Sequence, residues 1–467
     1  MIKKLSRRQF LKIASATAAG ATFTRFDPRL LALAQGDLPF EIAPEAVNPL
    51  NMPENTQAEG VFFEGGFGRA YIDFAADIFA KVHPGSSMSV EGIQRVGERL
   101  RPRFIAGEPP DVIDNSGAGA LDTAALVAEG ELLDLAPLFA APALDTPGKT
   151  FADTLFPGSQ ASGVFDGVQR YVNIAYTVFG AWYSKTLFEE KGWTYPTTWD
   201  EMLALSETIK ADGIAPWTYQ GKYPYYMVFG LLEPLVYKLA GGDAVWKKVD
   251  NLEDGAWEQP EILQALQMMQ QLHSNDFIMA GTEALTHTES QAEWLQNKAA
   301  FIPSGTWLEN EMRSVTPEGF DMVVGAIPAT DPARASWMTA AAGEPYMVPT
   351  NGKNPEAGME FIRVLLSKES AKFFAREVSA IMPVIGGTEG IEVSAATQSA
   401  LDLVAAAGEN IFSPPMFGTW YSDLNTEVGN STGALMTGQI EPEEFIERVQ
   451  GVANDVKEDP DIVKYTR

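Results

Sequence analysis

Short apolar runs alternate with amphipathic stretches along the chain from about residue 60. In the helix predicted at 69–82, apolar side chains such as Tyr71, Phe74 and Ile78 recur on one face. The first predicted elements are strand, helix, strand, helix and strand, at 61–63, 69–82, 88–91, 94–105 and 111–114. This alternation is typical of an open parallel α/β sheet.

The same alternation continues to the C-terminus. Thr198 and Glu201 form a capping-box pattern that predicts the start of a helix, and Asn354 with Pro355 predicts another. Further strands are predicted at 168–176, 214–217, 299–303 and 321–327. Further helices are predicted at 198–210, 224–239, 260–273, 289–297, 355–366 and 369–376, and residues 396–455 are predicted to be mostly helical. The chain is therefore predicted to be an α/β protein throughout.

The first 34 residues have the order of an export signal. Two lysines and the string Ser-Arg-Arg-Gln-Phe-Leu-Lys at 6–12 precede a short alanine-rich apolar stretch and the small-residue site Ala32-Leu33-Ala34. The string is similar to the twin-arginine signal, which exports folded proteins. Because the apolar stretch is short for a membrane span, we expect residues 1–34 to be removed and the mature chain to begin near Gln35, outside the cytoplasm.

Charge excludes some classes of partner. The full chain has a formal net charge of -28, and without residues 1–34 it keeps 27 basic and 61 acidic residues. Such a surface repels phosphate backbones and anionic lipids, so we expect neither nucleic-acid binding nor membrane insertion of the mature chain.

The chain has no cysteine and only three histidines, His83, His273 and His287. Disulfides, thiol catalysis and thiolate metal sites are therefore excluded. The histidines are far apart in sequence, so no metal site and no cofactor is predicted. A lipid-modified cysteine is absent as well, and we expect the exported protein not to be lipid-anchored.

Sequence motifs give little support to catalysis or nucleotide binding. The turn Gly117-Ala118-Gly119 has Asp122 where a dinucleotide-binding loop has its third glycine. The string Gly-x-Ser-x-Gly occurs at 429–433, but it lies within the stretch predicted to be mostly helical and not at the strand-to-helix turn of a nucleophile elbow, and no phosphate-binding loop is present. A carboxylate pair of the glycosidase kind stays open because acidic residues are abundant.

Aromatic residues cluster in three connections rich in glycine and proline. These clusters lie at 217–226, 304–307 and 414–421. Binding residues concentrate in such connections, and aromatic faces next to amides and carboxylates suit a sugar. The sequence therefore favours a sugar-binding site.

The chain resembles the family 1 extracellular solute-binding proteins of carbohydrate ABC importers from about residue 58 to the C-terminus. The resemblance rests on these segments, taken in order: Phe62-Phe63-Glu64-Gly65-Gly66, Pro110-Asp111-Val112-Ile113-Asp114, Ala181-Trp182-Tyr183-Ser184-Lys185, Ala299-Ala300-Phe301, Ser304-Gly305-Thr306-Trp307 and Ser367-Lys368-Glu369-Ser370-Ala371. Residues 60–75 and 301–312 also resemble the branch that binds N-acetylglucosamine and its short oligomers.

The resemblance implies a type II periplasmic-binding-protein-like fold, in which two α/β lobes, each an open and mostly parallel sheet, close on a ligand. Lobe one is expected to comprise 58–172 and 326–368, and lobe two 173–325 and 369–467. Residues 35–57 are expected to form a linker or loosely attached arm. The implied protein is not an enzyme but a monomeric receptor that passes a sugar to an ABC permease.

The candidate ligand-binding residues come from the resemblance and from the aromatic clusters. Trp307 is implied to stack on the sugar, and Glu64, Asp114 and Glu344 to offer polar groups. The full set is Glu64, Gly66, Phe67, Asp114, Asn115, Trp217, Tyr223, Tyr225, Trp307, Glu344, Trp420 and Tyr421. Two alternatives stay open: an exported glycoside-active enzyme, and a receptor for another solute such as a polyamine.

Overall fold

The computed structural model describes residues 38–117 and 119–467, and Phe40–Arg467 form the unit considered below. The predicted export signal, 1–34, lies outside the described residues. The strands are β1 Gln57–Phe63, β2 Ser87–Ile93, β3 Val112–Asp114, β4 Val164–Phe165, β5 Val168–Gln169, β6 Tyr171–Ser184, β7 Ala215–Trp217, β8 Ala299–Gly305, β9 Met322–Gly325, β10 Met338–Met347 and β11 Ile411–Phe412.

The helices cover both sides of these strands. In chain order they are α1 Ala70–Val82, α2 Val96–Ile105, α3 Thr123–Ala128, α4 Ala136–Ala140, α5 Lys185–Lys191, α6 Trp199–Ala211, α7 Tyr225–Met227, α8 Glu233–Ala240, α9 Ala244–Asp250, α10 Pro260–Ser274, α11 His287–Leu295, α12 Leu308–Met312, α13 Pro355–Leu365, α14 Lys368–Val378, α15 Ala395–Ala407, α16 Phe417–Trp420, α17 Ser422–Met436 and α18 Pro442–Glu458. The capping box predicted for α6 is confirmed, since Thr198 and Glu201 make both reciprocal bonds.

Two long antiparallel strands, β6 and β10, join two sets of shorter strands. The sheet order is β2-β1-β3-β10-β6-β8-β7, with β9 paired to β6 and β11 to β10. β1 is parallel to β2 and β3 in the first set, and β7 is parallel to β8 in the second. The predicted α/β fold, with two partly parallel sets of strands joined by crossing strands, is confirmed. The first set with its helices is called lobe one below, and the second lobe two.

The lobe boundaries differ from the expected ones on the return path of the chain. Helix α14, expected in lobe two, packs on lobe one, where the rings of Phe74 and Phe373 stack at 4.0 Å. Residues 326–337, expected in lobe one, pack on lobe two, where Lys238 Nζ donates a hydrogen bond of 2.9 Å to the Ala335 carbonyl. A helix belongs to the lobe against which its large aromatic side chains are buried. The order of the elements along the chain does not show which lobe that is.

The segment expected as a linker or loose arm is packed over most of its described length. Ala46, Leu50 and Met52 are buried against lobe one. The backbone N–H of Thr56 donates a hydrogen bond of 3.0 Å to Ser86 Oγ. Apolar residues placed between the prolines therefore attach this arm to lobe one. The segment has no helical or strand period, so the sequence pattern did not predict this packing.

A buried ionic network fixes the arm and α13 to each other. The Glu360 carboxylate, fully buried, accepts hydrogen bonds from Arg363 Nε at 2.8 Å and pairs with His83 Nε2 at 2.9 Å. The guanidinium also donates to the carbonyls of Ala46 at 2.8 Å and Pro142 at 3.0 Å. Charged side chains are accommodated in a protein interior only when they are paired and hydrogen-bonded in this way.

Candidate functional site

The lobe-one side of the cleft is formed where β1 and β3 end. Glu64 directly follows β1, and its carboxylate lies against Gly92, where an added Cβ would come within 2.3 Å of Oε2. Asp114 is the last residue of β3 and pairs in register with Tyr346 of β10. Because ligands of open α/β sheets bind at the carboxyl ends of the strands, this edge is the natural polar wall of a cleft.

Asp114 and Glu344 form a buried acidic pair at this edge. Asp114 is fully buried, accepts a hydrogen bond from the Ser116 hydroxyl, and has no partner for its Oδ2. Glu344 adopts a left-handed backbone conformation, with φ of 60°, which is uncommon for a residue with a side chain. Strain of this kind persists where the surrounding structure imposes it, often at binding sites.

Burial and mutual repulsion hold a proton on this pair. Burial raises the pKa of Asp114 well above its ordinary value, and the neighbouring Glu344 charge raises it further. Burial also raises the pKa of Glu344 to about 7, against hydrogen bonds from Ser116 and Asp114 that lower it. Because two such carboxyls cannot both ionise easily, the pair offers both a hydrogen-bond donor and acceptors near neutral pH.

The acidic pair should make the free energy of unfolding depend on pH. A carboxyl whose pKa is higher in the folded state stabilises the fold fully below its ordinary pKa, and this contribution is lost as the pH rises through about 7. We expect Glu344→Gln to gain about 2–3 kcal/mol of unfolding free energy relative to the wild type between pH 5 and pH 8. Urea unfolding at both pH values measures this difference.

An exposed carboxyl serves as the control for this measurement. Glu207, on the solvent face of α6, is exposed, so Glu207→Gln should leave the pH dependence as in the wild type. Equal pH dependence of Glu344→Gln and the wild type would contradict the assignment of a shared buried proton.

The lobe-two side of the cleft is an aromatic wall around Trp307, which follows β8. The Trp307 ring lies over Gly305, where an added Cβ would come within 2.3 Å of Cζ3. The rings of Phe179 and Phe229 each lie 5.8 Å from it, edge to face, and that of Tyr226 at 6.1 Å. Trp307 remains half-buried, so part of its surface is free to meet a ligand.

Two exposed tyrosines extend the aromatic wall. Tyr225 is 47% exposed, with its ring 5.0 Å from Tyr226, and Tyr223 is 36% exposed, with its ring 5.7 Å from His287. Phe229 lies in a π-helical turn, Val228–Leu232, between α7 and α8, whereas the sequence predicted one continuous helix over 224–239. Such turns often occur at functional sites.

A polar group completes the lobe-two side. Gln291, fully buried on α11, donates a hydrogen bond of 2.7 Å to Glu311, and its own Oε1 has no partner. Burial raises the pKa of Glu311, while the hydrogen bond from Gln291 and the nearby His287 lower it. Glu311 also faces lobe one, since an added Cβ on Gly66 would lie 3.7 Å from its Cγ.

Three predicted residues are placed outside the cleft or are occupied within the fold. Trp217 is a core residue, 1% exposed, with its ring 5.0 Å from Phe301. The Asn115 side chain is used inside lobe one, where it exchanges hydrogen bonds of 2.9 and 2.8 Å with the backbone of Leu121. Phe67 packs edge to face on Phe374 of α14 at 5.3 Å.

Trp420 and Tyr421 are buried at a distance from the aromatic wall. They precede α17, whose Gly433 lies next to Pro224, with 3.0 Å from an added Cβ to the proline Cγ. The helical rise over residues 422–433 places the two ends about 16 Å apart. The candidates of lobe two therefore fall into two separate groups, one around Trp307 and one around Trp420.

Four residues of the site were missed by the sequence analysis. They are Phe179, Phe229, Gln291 and Glu311. Glu311 follows Trp307 by four residues, a helical spacing that could have indicated it, whereas nothing in the sequence distinguishes the other three. Among the described residues, no group of three or more His, Asp or Glu side chains is arranged to hold a metal ion.

Two lobes joined by crossing strands, one with an acidic edge and the other with an aromatic wall, define a cleft-type ligand receptor. Comparison with known proteins identifies the family to which the chain belongs. Residues 64–372 match the family model "Bacterial extracellular solute-binding protein", and the chain belongs to this family. Residues 4–24 match the twin-arginine translocation signal, so the predicted export signal is confirmed. None of the helices in 38–117 and 119–467 combines the length and apolar character that a bilayer crossing needs.

Two curated relatives carry sugar-binding names. The diacetylchitobiose binding protein NgcE of Streptomyces coelicolor is 33% identical over 470 residues, which cover 98% of each chain. A probable sugar-binding periplasmic protein of Rhizobium meliloti is 26% identical over 235 residues, 50% of this chain and 53% of that one.

Solved structures share the fold. A chitin oligosaccharide binding protein superposes with a TM-score of 0.64 at 21% identity, over 82% of this chain and 94% of that one. The raffinose complex of the solute-binding protein RafE superposes with a TM-score of 0.66 at 17% identity, over 86% and 99%. At these identities the likeness concerns the fold, and the predicted two-lobed type II architecture is confirmed.

Proposed function

We propose that this protein is the substrate-binding component of a carbohydrate ABC importer and that it captures diacetylchitobiose or related N-acetylglucosamine oligomers outside the cytoplasm. The observation that carries the proposal is the combination of a half-buried Trp307 in the aromatic wall of lobe two with the Asp114–Glu344 pair at the strand ends of lobe one. The name of the 33% identical relative, a diacetylchitobiose binding protein, supports the choice of sugar.

Trp307 supplies the stacking surface. The C–H face of a pyranose packs on an aromatic ring, and each good ring contact contributes about 1 kcal/mol beyond simple burial. Because Phe179, Phe229 and Tyr226 fix the indole from three sides, little side-chain entropy is lost when the sugar binds.

The acidic pair and Glu64 form hydrogen bonds with the polar groups of the sugar. Near neutral pH the Asp114–Glu344 pair holds a proton and can donate to one sugar oxygen while accepting from a hydroxyl or an acetamido N–H. Hydrogen bonds to charged groups contribute about 1.5–3 kcal/mol each. On the lobe-two side, the unpartnered Gln291 Oε1 is a further acceptor.

The length of the cleft favours a ligand longer than one ring. Gly343, next to Glu344, pairs with Ala175 of β6, and Gly305 beneath Trp307 pairs with Phe179 of the same strand. Four residues of extended strand correspond to about 13 Å. A ligand that touches both ends therefore spans more than one hexose, as a disaccharide does.

Capture works by a shift of population. The sugar contacts Trp307 from lobe two and the acidic pair from lobe one at the same time only when the lobes are close, so it stabilises the closed state. β6 and β10 connect the lobes and are the places where bending would occur. The closed monomer then delivers the sugar to the permease.

The acidic pair is arranged for binding rather than for glycoside cleavage. Asp114 and Glu344 lie close enough for each to shift the pKa of the other. Glycosidases hold their two carboxyls about 5–5.5 Å apart when they retain configuration and about 6.5–9.5 Å apart when they invert it, on either side of the bond. Because the two carboxyls are buried next to each other at one edge of lobe one, we propose that they do not flank a glycosidic bond and that the protein does not hydrolyse its ligand.

Thermal unfolding against a panel of ligands tests this function. N-acetylglucosamine oligomers should raise the midpoint, since a ligand at 1,000 times its Kd stabilises the folded state by about 4 kcal/mol. Maltose and raffinose serve as neutral sugar controls, and spermidine tests the polyamine alternative, since carboxylates such as this acidic pair can bind cations. A response to spermidine alone would overturn the sugar proposal.

A further inference from the structure

The C-terminal segment, residues 459–467, lies between the two lobes and is called the strap below. It follows α18 and ends at Arg467. Its Tyr465 side chain is 3% exposed.

The end of the strap is attached to lobe two. Arg467 Nε pairs with the fully buried Asp250 carboxylate at 2.8 Å. The side chain of Asn251 accepts from the Arg467 N–H at 2.9 Å and donates to the Arg467 carbonyl at 3.2 Å. Asp250 in turn accepts from the backbone N–H groups of Met416 and Phe417 at the start of α16. The anchor therefore fixes the strap next to the Trp420–Tyr421 segment.

Tyr465 makes contacts with both lobes. On the lobe-two side its N–H donates to the Tyr421 hydroxyl at 3.1 Å, and its ring lies 5.5 Å from Trp420. On the lobe-one side its ring meets Phe165 edge to face, with centroids 5.2 Å apart and an angle of 90°, and its hydroxyl donates to the Ala124 carbonyl at 3.4 Å.

One of the contacts to lobe one lies just beyond the loop that follows Asp114. Ala124 belongs to α3, which the loop after Asp114 leads into directly, and Asn115 ties that loop to Leu121. The strap also forms one wall of a cavity of about 650 Å³. The other walls come from residues 120–129 of lobe one and 418–423 of lobe two. Opening of the cleft would separate these walls and break the contacts of Tyr465 with lobe one.

We propose that the strap is a cross-lobe latch in which Tyr465 is the positioning residue that favours the closed cleft. The latch stabilises closure whether or not a ligand is present, and so lowers the conformational cost of capture. Its effect on ligand affinity rests on the proposed sugar-binding function, whereas its effect on the lobes alone does not.

Two measurements on the full exported chain test the latch: small-angle X-ray scattering without ligand, and the affinity for diacetylchitobiose by calorimetry. We expect Tyr465→Ala to increase the radius of gyration and to weaken binding about tenfold. Tyr465→Phe keeps the ring contacts and the backbone bond to Tyr421 and loses only the hydroxyl bond to Ala124, so its affinity should stay within about threefold of the wild type. Val463→Ala, an exposed strap residue, is the matched control and should change neither quantity.

An unchanged radius of gyration in Tyr465→Ala would overturn the latch, as would an equal loss in Val463→Ala. If Tyr465→Ala does not fold, Tyr465→Leu, which keeps apolar bulk but lacks the aromatic edge-to-face contact, decides through the same measurements. If the wild type binds no sugar, the proposed function fails, and the scattering comparison alone still decides the latch.

Discussion

Trp307→Ala is expected to weaken the binding of diacetylchitobiose by about 30- to 150-fold, which corresponds to about 2–3 kcal/mol. The reason is that Trp307 is the half-exposed centre of the aromatic wall, and truncation removes the ring on which the sugar would stack. Calorimetric titration of the variant and the wild type measures the change.

Trp337→Ala is the matched control for this substitution. Trp337 is also half-buried in lobe two, but its ring packs on Phe412, at 5.4 Å, away from the aromatic wall. The control should bind the sugar as the wild type does. Wild-type affinity of a folded Trp307→Ala variant would show that the ligand does not stack on this wall.

Arg363→Met is expected to have the largest effect on stability, a loss of about 3–5 kcal/mol of unfolding free energy. Arg363 is 1% exposed, and its removal leaves the buried Glu360 carboxylate without its bidentate partner and frees the carbonyls of Ala46 and Pro142. Urea unfolding at pH 7 measures the loss, and hydrogen exchange at residues 44–52 should rise because the arm loses its anchor.

An exposed ion pair provides the comparison. Arg448 pairs with Glu444 on the surface of α18, with both side chains 46% exposed, and Arg448→Met should change stability by less than about 1 kcal/mol. Replacing both Glu360 and Arg363 by methionine should recover much of the loss, because no buried charge then lacks its partner. A loss below about 1 kcal/mol in Arg363→Met would contradict the network's structural role.

The sequence predicted elements with regular apolar periods and missed several others, among them the crossing strand β10. Strands β1 and β3 and helices α1 and α6 follow from buried runs and one-sided helical faces. The crossing strand β10 has the sequence Met-Thr-Ala-Ala-Ala-Gly-Glu-Pro-Tyr-Met, whose small residues and proline give no strand period. Its pairing with β6 over most of its length creates the strand, and such a tertiary cause is not visible in a local pattern.

Site residues near the ends of strands could be predicted from the sequence. Site residues whose positions depend on tertiary packing could not. Asp114 ends a recognisable strand and Trp307 lies two residues after another, so their positions follow from the topology. Trp217 also stands at the end of a strand, but Phe301 covers it. Gln291 and Phe229 come into the site through the packing of α11 and a π-helical turn, for which the sequence carries no signal.

The most direct test of the central claim is calorimetric titration of the exported protein with diacetylchitobiose, followed by mass spectrometry of the recovered ligand. The account predicts saturable binding of one disaccharide per chain, with the ligand returned intact. No heat of binding would contradict the assigned sugar, and recovery of N-acetylglucosamine monomers would show that the acidic cleft belongs to an enzyme and not to a receptor.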